Sequence, residues 1–288
     1  MANISLELEH TTFTAGSPVC GVVTFRTGKV TPVRGLGVRL HGVEGVKQSA
    51  ARQANVSAAS RRFLRQDFVL AGRAGLESAA SWISDTWNTL MGRISHTRLQ
   101  PGVSRHPFCL FVPPTAVPTY DGEGIYTSYA VTAYADRPFR KEINTTIEVL
   151  ITAAPKSEPP HPFATTNNGL EVELDSNKLP AGGTVTGKFR LQLPQGSKAE
   201  GLRITLVRRE VASYRARMKE VSKAEIAVAE LEFDDQKSPL QEGTLSLQIP
   251  PGAHPSFEGH LIALRWTLRI ETQPIGLAAV EAPLTVVG

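Results

Sequence analysis

Short stretches in which apolar and polar residues alternate run through most of this chain. The opening segment, from Ile4 to Glu9, carries an apolar residue at every second position, and the segment from Leu170 to Asp175 has the same pattern. A period of two is typical of a β-strand with one buried face. Clusters of Gly, Pro, Asn and Asp separate these runs and favour turns. The pattern predicts an all-β chain of antiparallel sheets.

These two segments open a longer internal repeat. Gly21 falls on Gly187 at the same shift that relates the two opening segments, and the apolar positions around the two glycines coincide. A second phrase, a proline pair followed by an aromatic residue and glycine, occurs at residues 113–122 and again at 250–259. Its shift is smaller, so the first half holds an insertion between its third strand and the proline pair. The order of the two phrases predicts a duplicated domain.

The boundary between the two predicted domains falls in a proline-rich segment. Residues 155–162 contain four prolines, which stiffen a linker and cannot occupy the interior of a sheet. We therefore expect one domain over residues 1–154, a linker over 155–164 and a second domain over 165–288.

Both halves share a pattern that resembles the arrestin clan. In the first half it runs from Phe108 through Pro113-Pro114 to Tyr120 and Gly122, followed by the alternating strand from Tyr129. The arrangement is most similar to compact arrestin-fold relatives of the sporulation-control type that lack a C-terminal tail. The resemblance implies two tandem arrestin-like, immunoglobulin-like antiparallel β-sandwich domains. It also implies a non-catalytic adaptor or scaffold that binds protein partners.

The chain departs from the better-known branches of that clan. Receptor-type arrestins have paired lysines in the first strand, whereas Ile4 to His10 contains no lysine. None of the Pro-Pro pairs is followed by the tyrosine of the ligase-recruiting motif of α-arrestins. The sequence stops at Gly288, directly after a strand-like segment, where receptor arrestins have a long tail. The resemblance therefore extends to the fold and the adaptor class.

One amphipathic helix is expected in the insertion of the first half, over about residues 74–95. Apolar residues recur there at helical spacing, with polar residues on the other side. The helix either packs on its own sheet or is offered to a membrane surface or a partner groove. Its candidate partner-binding residues are Trp82, Ile83, Trp87, Leu90 and Met91.

Two groups of arginines are further candidates for partner binding. They are Arg61, Arg62 and Arg65 in the insertion, and Arg208, Arg209, Arg215 and Arg217 in the second half. A basic patch of this kind would attract acidic tails or lipid phosphates. The alternative is that the arginines lie on solvated sheet faces, paired with neighbours such as Glu210 or Glu220.

Composition and charge narrow the class of protein. The net charge is +4, without the clustering of a dedicated nucleic-acid binder, and no apolar run is long enough to span a bilayer. The N-terminus lacks the features of a secretory signal. We expect the two cysteines, Cys20 and Cys109, to be free thiols, and together these features predict a cytoplasmic location.

Motifs for catalysis, metals or cofactors are not apparent. The histidines match no standard metal-ligand spacing, and neither a nucleophile elbow nor a phosphate-binding loop occurs. We therefore predict a non-enzyme without cofactor that binds protein partners through sheet edges, basic patches or the inserted helix. The alternative is a peripheral protein that binds anionic lipid through the Trp-containing helix. A hydrolase built on the sandwich loops is a third hypothesis, and it requires a deep polar pocket.

Overall fold

The structure is a computed structural model that describes residues 2–72, 97–155, 161–194, 196–214, 217–234 and 240–288. Almost all regular structure in these ranges is β. The chain divides into two compact units. Unit 1 comprises residues 1–44, 61–119 and 127–152, and unit 2 comprises residues 45–60, 120–126 and 153–288.

The first half of the chain forms eleven strands in the described ranges. They are β1 (Asn3–Leu8), β2 (Thr12–Thr14), β3 (Pro18–Thr27), β4 (Thr31–Val33), β5 (Gly35–Val46), β6 (Ser60–Gly72), β7 (Thr97–Leu99), β8 (Gly102–Phe111), β9 (Tyr120–Asp121), β10 (Ile125–Asp136) and β11 (Ile143–Thr152). One sheet has the order β1-β3-β8, and the other has the order β2-β11-β10-β5-β6, with β9 paired to β10. A small ladder joins β4 to β7.

The second half forms ten strands in the described ranges. They are β12 (Phe163–Asn167), β13 (Leu170–Leu174), β14 (Lys178–Pro180), β15 (Thr184–Gln192), β16 (Gly201–Tyr214), β17 (Arg217–Glu232), β18 (Leu240–Gln248), β19 (Phe257–Glu258), β20 (Ile262–Gln273) and β21 (Ala279–Val287). One sheet has the order β12-β13-β15-β18, and the other has the order β14-β21-β20-β16-β17, with β19 paired to β20.

The strand orders of the two halves correspond. Strands β13, β15 and β18 repeat the order β1-β3-β8, and β14-β21-β20-β16-β17 repeats β2-β11-β10-β5-β6. One strand breaks the correspondence, because β12 lies beside β13 and no described strand lies beside β1 on that side. This difference leaves the outer edge of β1 open within the described part of the chain.

Alternation along the strands builds the cores, as the period of two predicts. In β3 the inward positions Val19, Val23 and Phe25 are buried, and the residues between them are more exposed. Gly21 and Gly187 occupy matching close approaches, because a Cβ at either position would overlap the carbonyl oxygen of Glu7 or Glu173 on the adjacent strand. The glycine shared by the two repeats is therefore required by strand packing.

The two cysteines form a disulfide, so the prediction of free thiols is wrong. Cys20 on β3 lies directly opposite Cys109 on β8, with 4.1 Å between their Cα atoms. Antiparallel pairing places the two side chains on the same outer face of the sheet, within bonding reach. The cytoplasmic location loses the support that free thiols were expected to lend it.

The described helix, α1 (Gln48–Gln53), was not expected from the sequence. It belongs to unit 2, where Ala50 and Ala51 pack in a small apolar cluster with Tyr120, Ile125 and residues of β16, β17 and β20. The helix predicted over residues 74–95 lies outside the described residues. No helix in the described ranges is long and apolar enough to cross a membrane.

Candidate functional site

The outer edge of β1 presents main-chain groups that pair with no described strand. The carbonyl of Cys20 accepts a hydrogen bond from the amide of Glu9, so alternate residues of β3 face β1. In the antiparallel register, Val22 pairs with Glu7 and Thr24 pairs with Ser5. Because main-chain groups of successive strand residues point to opposite sides, the amides and carbonyls of Ile4, Leu6 and Leu8 are directed away from β3.

In unit 2 the corresponding edge strand, β13, has its main-chain groups paired with a further strand, β12. Strand β12 pairs with β13 over the whole of Leu170–Leu174, from Phe163 opposite Leu174 to Asn167 opposite Leu170. The residues of β13 correspond to those of β1 in the sequence repeat. No described strand plays the part of β12 for β1, so an extended segment of about five residues would complete the same ladder.

Side chains on the outer face of β1 are polar and accessible. Ser5 and Glu7 are exposed, whereas Ile4 and Leu6 are buried in the core of unit 1. Arg105 on β8 lies 3.8 Å from the carboxylate of Glu7 across the sheet. Two exposed charged side chains this far apart contribute little to stability.

The opposite margin of the same sheet is protected. Strand β8 is an edge strand that contains Pro107. Pro107 lies two residues before Cys109, so the main-chain groups of the two residues point to the same side of the strand. The amide of Cys109 points away from β3, because Cys20 directs its carbonyl to β1. Proline has no N–H, so the outer edge of β8 lacks a donor in its middle, which discourages pairing with another strand. Of the two edge strands of this sheet, β1 is therefore the one that can pair more readily with an added strand.

Among the arginines of the insertion, Arg65 lies in an internal charge network on β6. Asp67 accepts from Arg65 at 2.5 Å and from Arg39 at 2.9 Å, and the guanidinium of Arg39 stacks over the ring of Tyr134. These two arginines hold the pKa of Asp67 below its usual value in spite of its burial. Arg61 and Arg62 lie exposed at the start of the same strand.

The arginines of the second half form separate ion pairs. Arg208 lies 3.7 Å from Glu210 and Glu123, whereas Arg209 pairs with Glu220 at 3.2 Å and with Glu281 at 2.7 Å. Adjacent residues in a strand point to opposite faces, so these two arginines do not form one patch. The arginines are paired internally, as the alternative interpretation expected, but Arg208 and Arg209 are largely buried rather than on a solvated sheet face.

The remaining candidates are distributed differently. Arg217 is exposed at the start of β17. Arg215, Trp82, Ile83, Trp87, Leu90 and Met91 lie outside the described residues.

Glu210 was expected on a solvated sheet face beside the arginines, but the structure places it in the interior of unit 2. Glu210 on β16 is fully buried, and its two oxygens accept four hydrogen bonds from the β9–β10 hairpin. The donors are the Tyr120 hydroxyl at 2.6 Å and the amides of Glu123, Gly124 and Ile125 at 3.2, 2.5 and 3.2 Å. Burial, together with Glu210, raises the pKa of the Tyr120 hydroxyl, which keeps it a donor.

The Glu210 cluster has the features of a structural anchor. Both oxygens are occupied by donors of the protein, and the hairpin that supplies them packs in the apolar cluster around Ile125 and Leu264. His254 packs edge-on against Tyr120, and burial and then Arg208 lower the pKa of that histidine. Within the described ranges, no group of three His, Cys, Asp or Glu side chains is placed to hold a metal ion.

The described architecture places the chain among the antiparallel β-sandwich proteins. The family model of the arrestin (or S-antigen) N-terminal domain matches residues 2–156, which is more than half of the chain. The chain therefore belongs to the arrestin family, whose members are generally adaptors or scaffolds without catalytic activity. No curated protein matches the chain.

Proposed function

We propose that this protein is a non-catalytic adaptor that binds an extended segment of a partner protein along the outer edge of β1. The observation that supports the proposal most directly is that no described strand lies beside β1 in the place that β12 takes beside β13. Strand β13 has its outer edge covered over five residue pairs, and β1, its equivalent in the repeat, has no described neighbour there. We further propose that the chain is a tandem of two arrestin-like sandwiches joined near residues 155–164.

Strand addition explains how such a site binds without a side-chain signature. The amides and carbonyls of Ile4, Leu6 and Leu8 offer alternate donors and acceptors to a peptide backbone, as in other cases of β-augmentation. A typical hydrogen bond contributes about 0.5–1.5 kcal/mol net. A segment of about five residues therefore gains a modest affinity from its main chain, and its side chains determine the rest.

The arginines are weaker candidates for the main recognition surface. Arg208 and Arg209 already pair with carboxylates of unit 2, and Arg65 shares Asp67 with Arg39. An acidic partner would have to displace these internal pairs. The edge of β1 requires no such exchange among the described residues.

Hydrogen exchange in a complex with a partner tests the proposal. A photoreactive amino acid at position 7, on the exposed face of β1, is used to capture the partner, and position 173 on β13 is the matched control because β12 already covers its edge. Amide exchange is then compared between the free protein and the complex. We expect new protection at Ile4, Leu6 and Leu8, while Ser5 and Glu7, already paired to β3, change little.

Amide protection that alternates between successive residues of β1 distinguishes strand addition from other kinds of contact. Equal protection of odd and even residues of β1 would indicate a surface covered by side chains and would contradict the proposal. Capture at position 173 with the same yield as at position 7 would contradict it as well. The alternative of a lipid-binding helix rests on residues 74–95, outside the described ranges, and stays a prediction.

A further inference from the structure

One end of unit 1 collects cations from several loops. Strand β3 ends at Thr27, opposite the start of β8 at Gly102, and β4 and β7 pair directly beyond them. The turn between β10 and β11 lies at the same end, because Arg34 beside β4 donates its amide to the carbonyl of Asp136. We call this surface the basic end, defined by Arg26, Lys29, Arg98, Arg137, Arg140 and Lys141.

The cations of the basic end are not neutralised by described neighbours. No described carboxylate lies within ion-pairing distance of any of them. Two acids lie at this end: Asp136 is buried and paired with Arg34 at 2.7 Å, and Glu142 accepts a hydrogen bond from Asn144 at 3.1 Å. Arg137 donates to the carbonyl of Lys141 at 2.8 Å, and its buried Nε has no acceptor among the described residues. The positive charge is therefore available to an external anion.

A cavity of about 720 Å³ opens between these loops. Lys29, Arg137 and Arg140 line it, together with Thr27 and Thr31. The Thr27 hydroxyl donates to the carbonyl of Lys29 at 2.9 Å and accepts from the Thr31 hydroxyl at 2.8 Å, and the Thr31 hydroxyl also lies 3.0 Å from the same carbonyl. These bonds order the turn that carries Lys29 and reduce the entropy lost when an anion is bound.

Apolar side chains project from the same loops into solvent. Phe139 is 60% exposed, Val103 is 56% exposed and Val30 is 46% exposed. Phe139 also has a backbone φ of 55°, in the left-handed region that bulky residues avoid. A large aromatic residue held in water by a strained turn requires an explanation beyond the core of unit 1.

The geometry points to a docking surface for an anionic membrane at the basic end of unit 1. Lipid phosphate enters the cavity beside Lys29, Arg137 and Arg140, and Phe139 and Val30 insert into the headgroup region. Apolar side chains flanked by cations that have no described carboxylate partner are the combination that interfacial binding requires. An acidic peptide would use the cations and leave the apolar side chains exposed, so the membrane is the occupant that accounts for both.

Vesicle sedimentation of the full chain tests this assignment. Phosphatidylcholine vesicles with about 30% phosphatidylserine are compared with phosphatidylcholine alone. The test variant carries Arg137→Gln, Arg140→Gln and Lys141→Gln. The control variant carries Lys188→Gln, Lys219→Gln and Lys223→Gln, which remove the same charge from exposed positions of unit 2. Unchanged thermal unfolding of both variants shows that they are folded.

Each cation near an anionic surface strengthens binding roughly fivefold, so the test variant should bind roughly 100-fold more weakly. The control variant should lose far less. Phe139→Trp provides a second measurement, because brominated lipids should quench its fluorescence beyond that of the native tryptophans. Quenching of the fluorescence in Phe139→Trp, together with a loss of vesicle binding in the test variant but not in the control variant, supports the assignment.

Three results would overturn the assignment. The first is the absence of binding to the anionic vesicles by the native chain. The second is loss of vesicle binding when residues 74–95 are replaced while the triple Gln variant binds normally, which would assign the contact to that segment. The third is an unquenched tryptophan at position 139 in a variant that binds a phosphorylated peptide through the same cations, which would assign the basic end to protein recognition.

Discussion

Replacing Glu210 by alanine should destabilise unit 2 more than any surface change, because its carboxylate is the shared acceptor of the β9–β10 hairpin. The substitution leaves the Tyr120 hydroxyl and the amides of Gly124 and Ile125 buried without an acceptor. An unsatisfied buried donor costs about 1–3 kcal/mol, and removing one member of a buried charged interaction costs about 3–5 kcal/mol. Because water can relieve part of this cost, we expect about 4 kcal/mol of lost unfolding free energy.

Two milder variants grade the effect. Tyr120→Phe removes one donor and keeps the carboxylate bound to three amides, so it should cost about 1 kcal/mol. Glu210→Gln keeps the volume but turns an NH₂ group towards donors, so it should fall between the other two. Glu220→Ala, which removes a partly exposed partner of Arg209, is the control and should cost less than about 0.5 kcal/mol.

Urea unfolding combined with amide exchange at residues 123–125 measures these differences. A chain with two compact units need not unfold in one step, so the exchange data assign the loss to the hairpin. The reasoning is refuted if Glu210→Ala lies within 1 kcal/mol of the native protein, or if the amides of Gly124 and Ile125 keep their native protection.

Two further predictions concern unit 1. Reduction of the Cys20–Cys109 bond, which spans 89 residues of sequence, should lower the unfolding free energy by about 2–4 kcal/mol, and a double Cys→Ala variant should show the same loss with no response to reductant. Burial, and then Arg62 and Arg39, lower the pKa of His41, so the folded state favours its neutral form. The unfolding free energy contributed by neutral His41 is therefore complete above pH 6.5 and decreases as the pH falls from 6.5 towards the lowered pKa. The variant His41→Gln should reduce the slope of the unfolding free energy against pH in that range. An unchanged slope would contradict the assignment.

The strands were predictable because their signal is local. The alternation in Ile4–Glu9 and its repeat at Leu170–Asp175 follow from which face of each strand is buried, and the structure has β1 and β13 at these positions. The matching glycines at 21 and 187 were also visible in the sequence. Their physical reason, the close carbonyl of the neighbouring strand, required the register.

The features that sequence reasoning missed depend on distant partners. The disulfide requires β3 and β8 to pair in one register, which neither cysteine specifies alone. The donors to Glu210 lie 85–90 residues earlier in the chain, so nothing near Glu210 marks it as an acceptor. Helix α1 has six residues, too few for helical periodicity to show. The open edge of β1 became visible only by comparison with β12.

The bond between Cys20 and Cys109 closes the backbone from Gly21 to Phe108 into a covalent ring. A protease that cuts one peptide bond inside that ring, including any within residues 74–95, leaves a nicked protein of unchanged mass apart from one added water. The piece that carries β1 stays tethered to β8 through the sulfur atoms. Such nicking would be silent on a gel without reductant and would appear as two fragments once reductant is added.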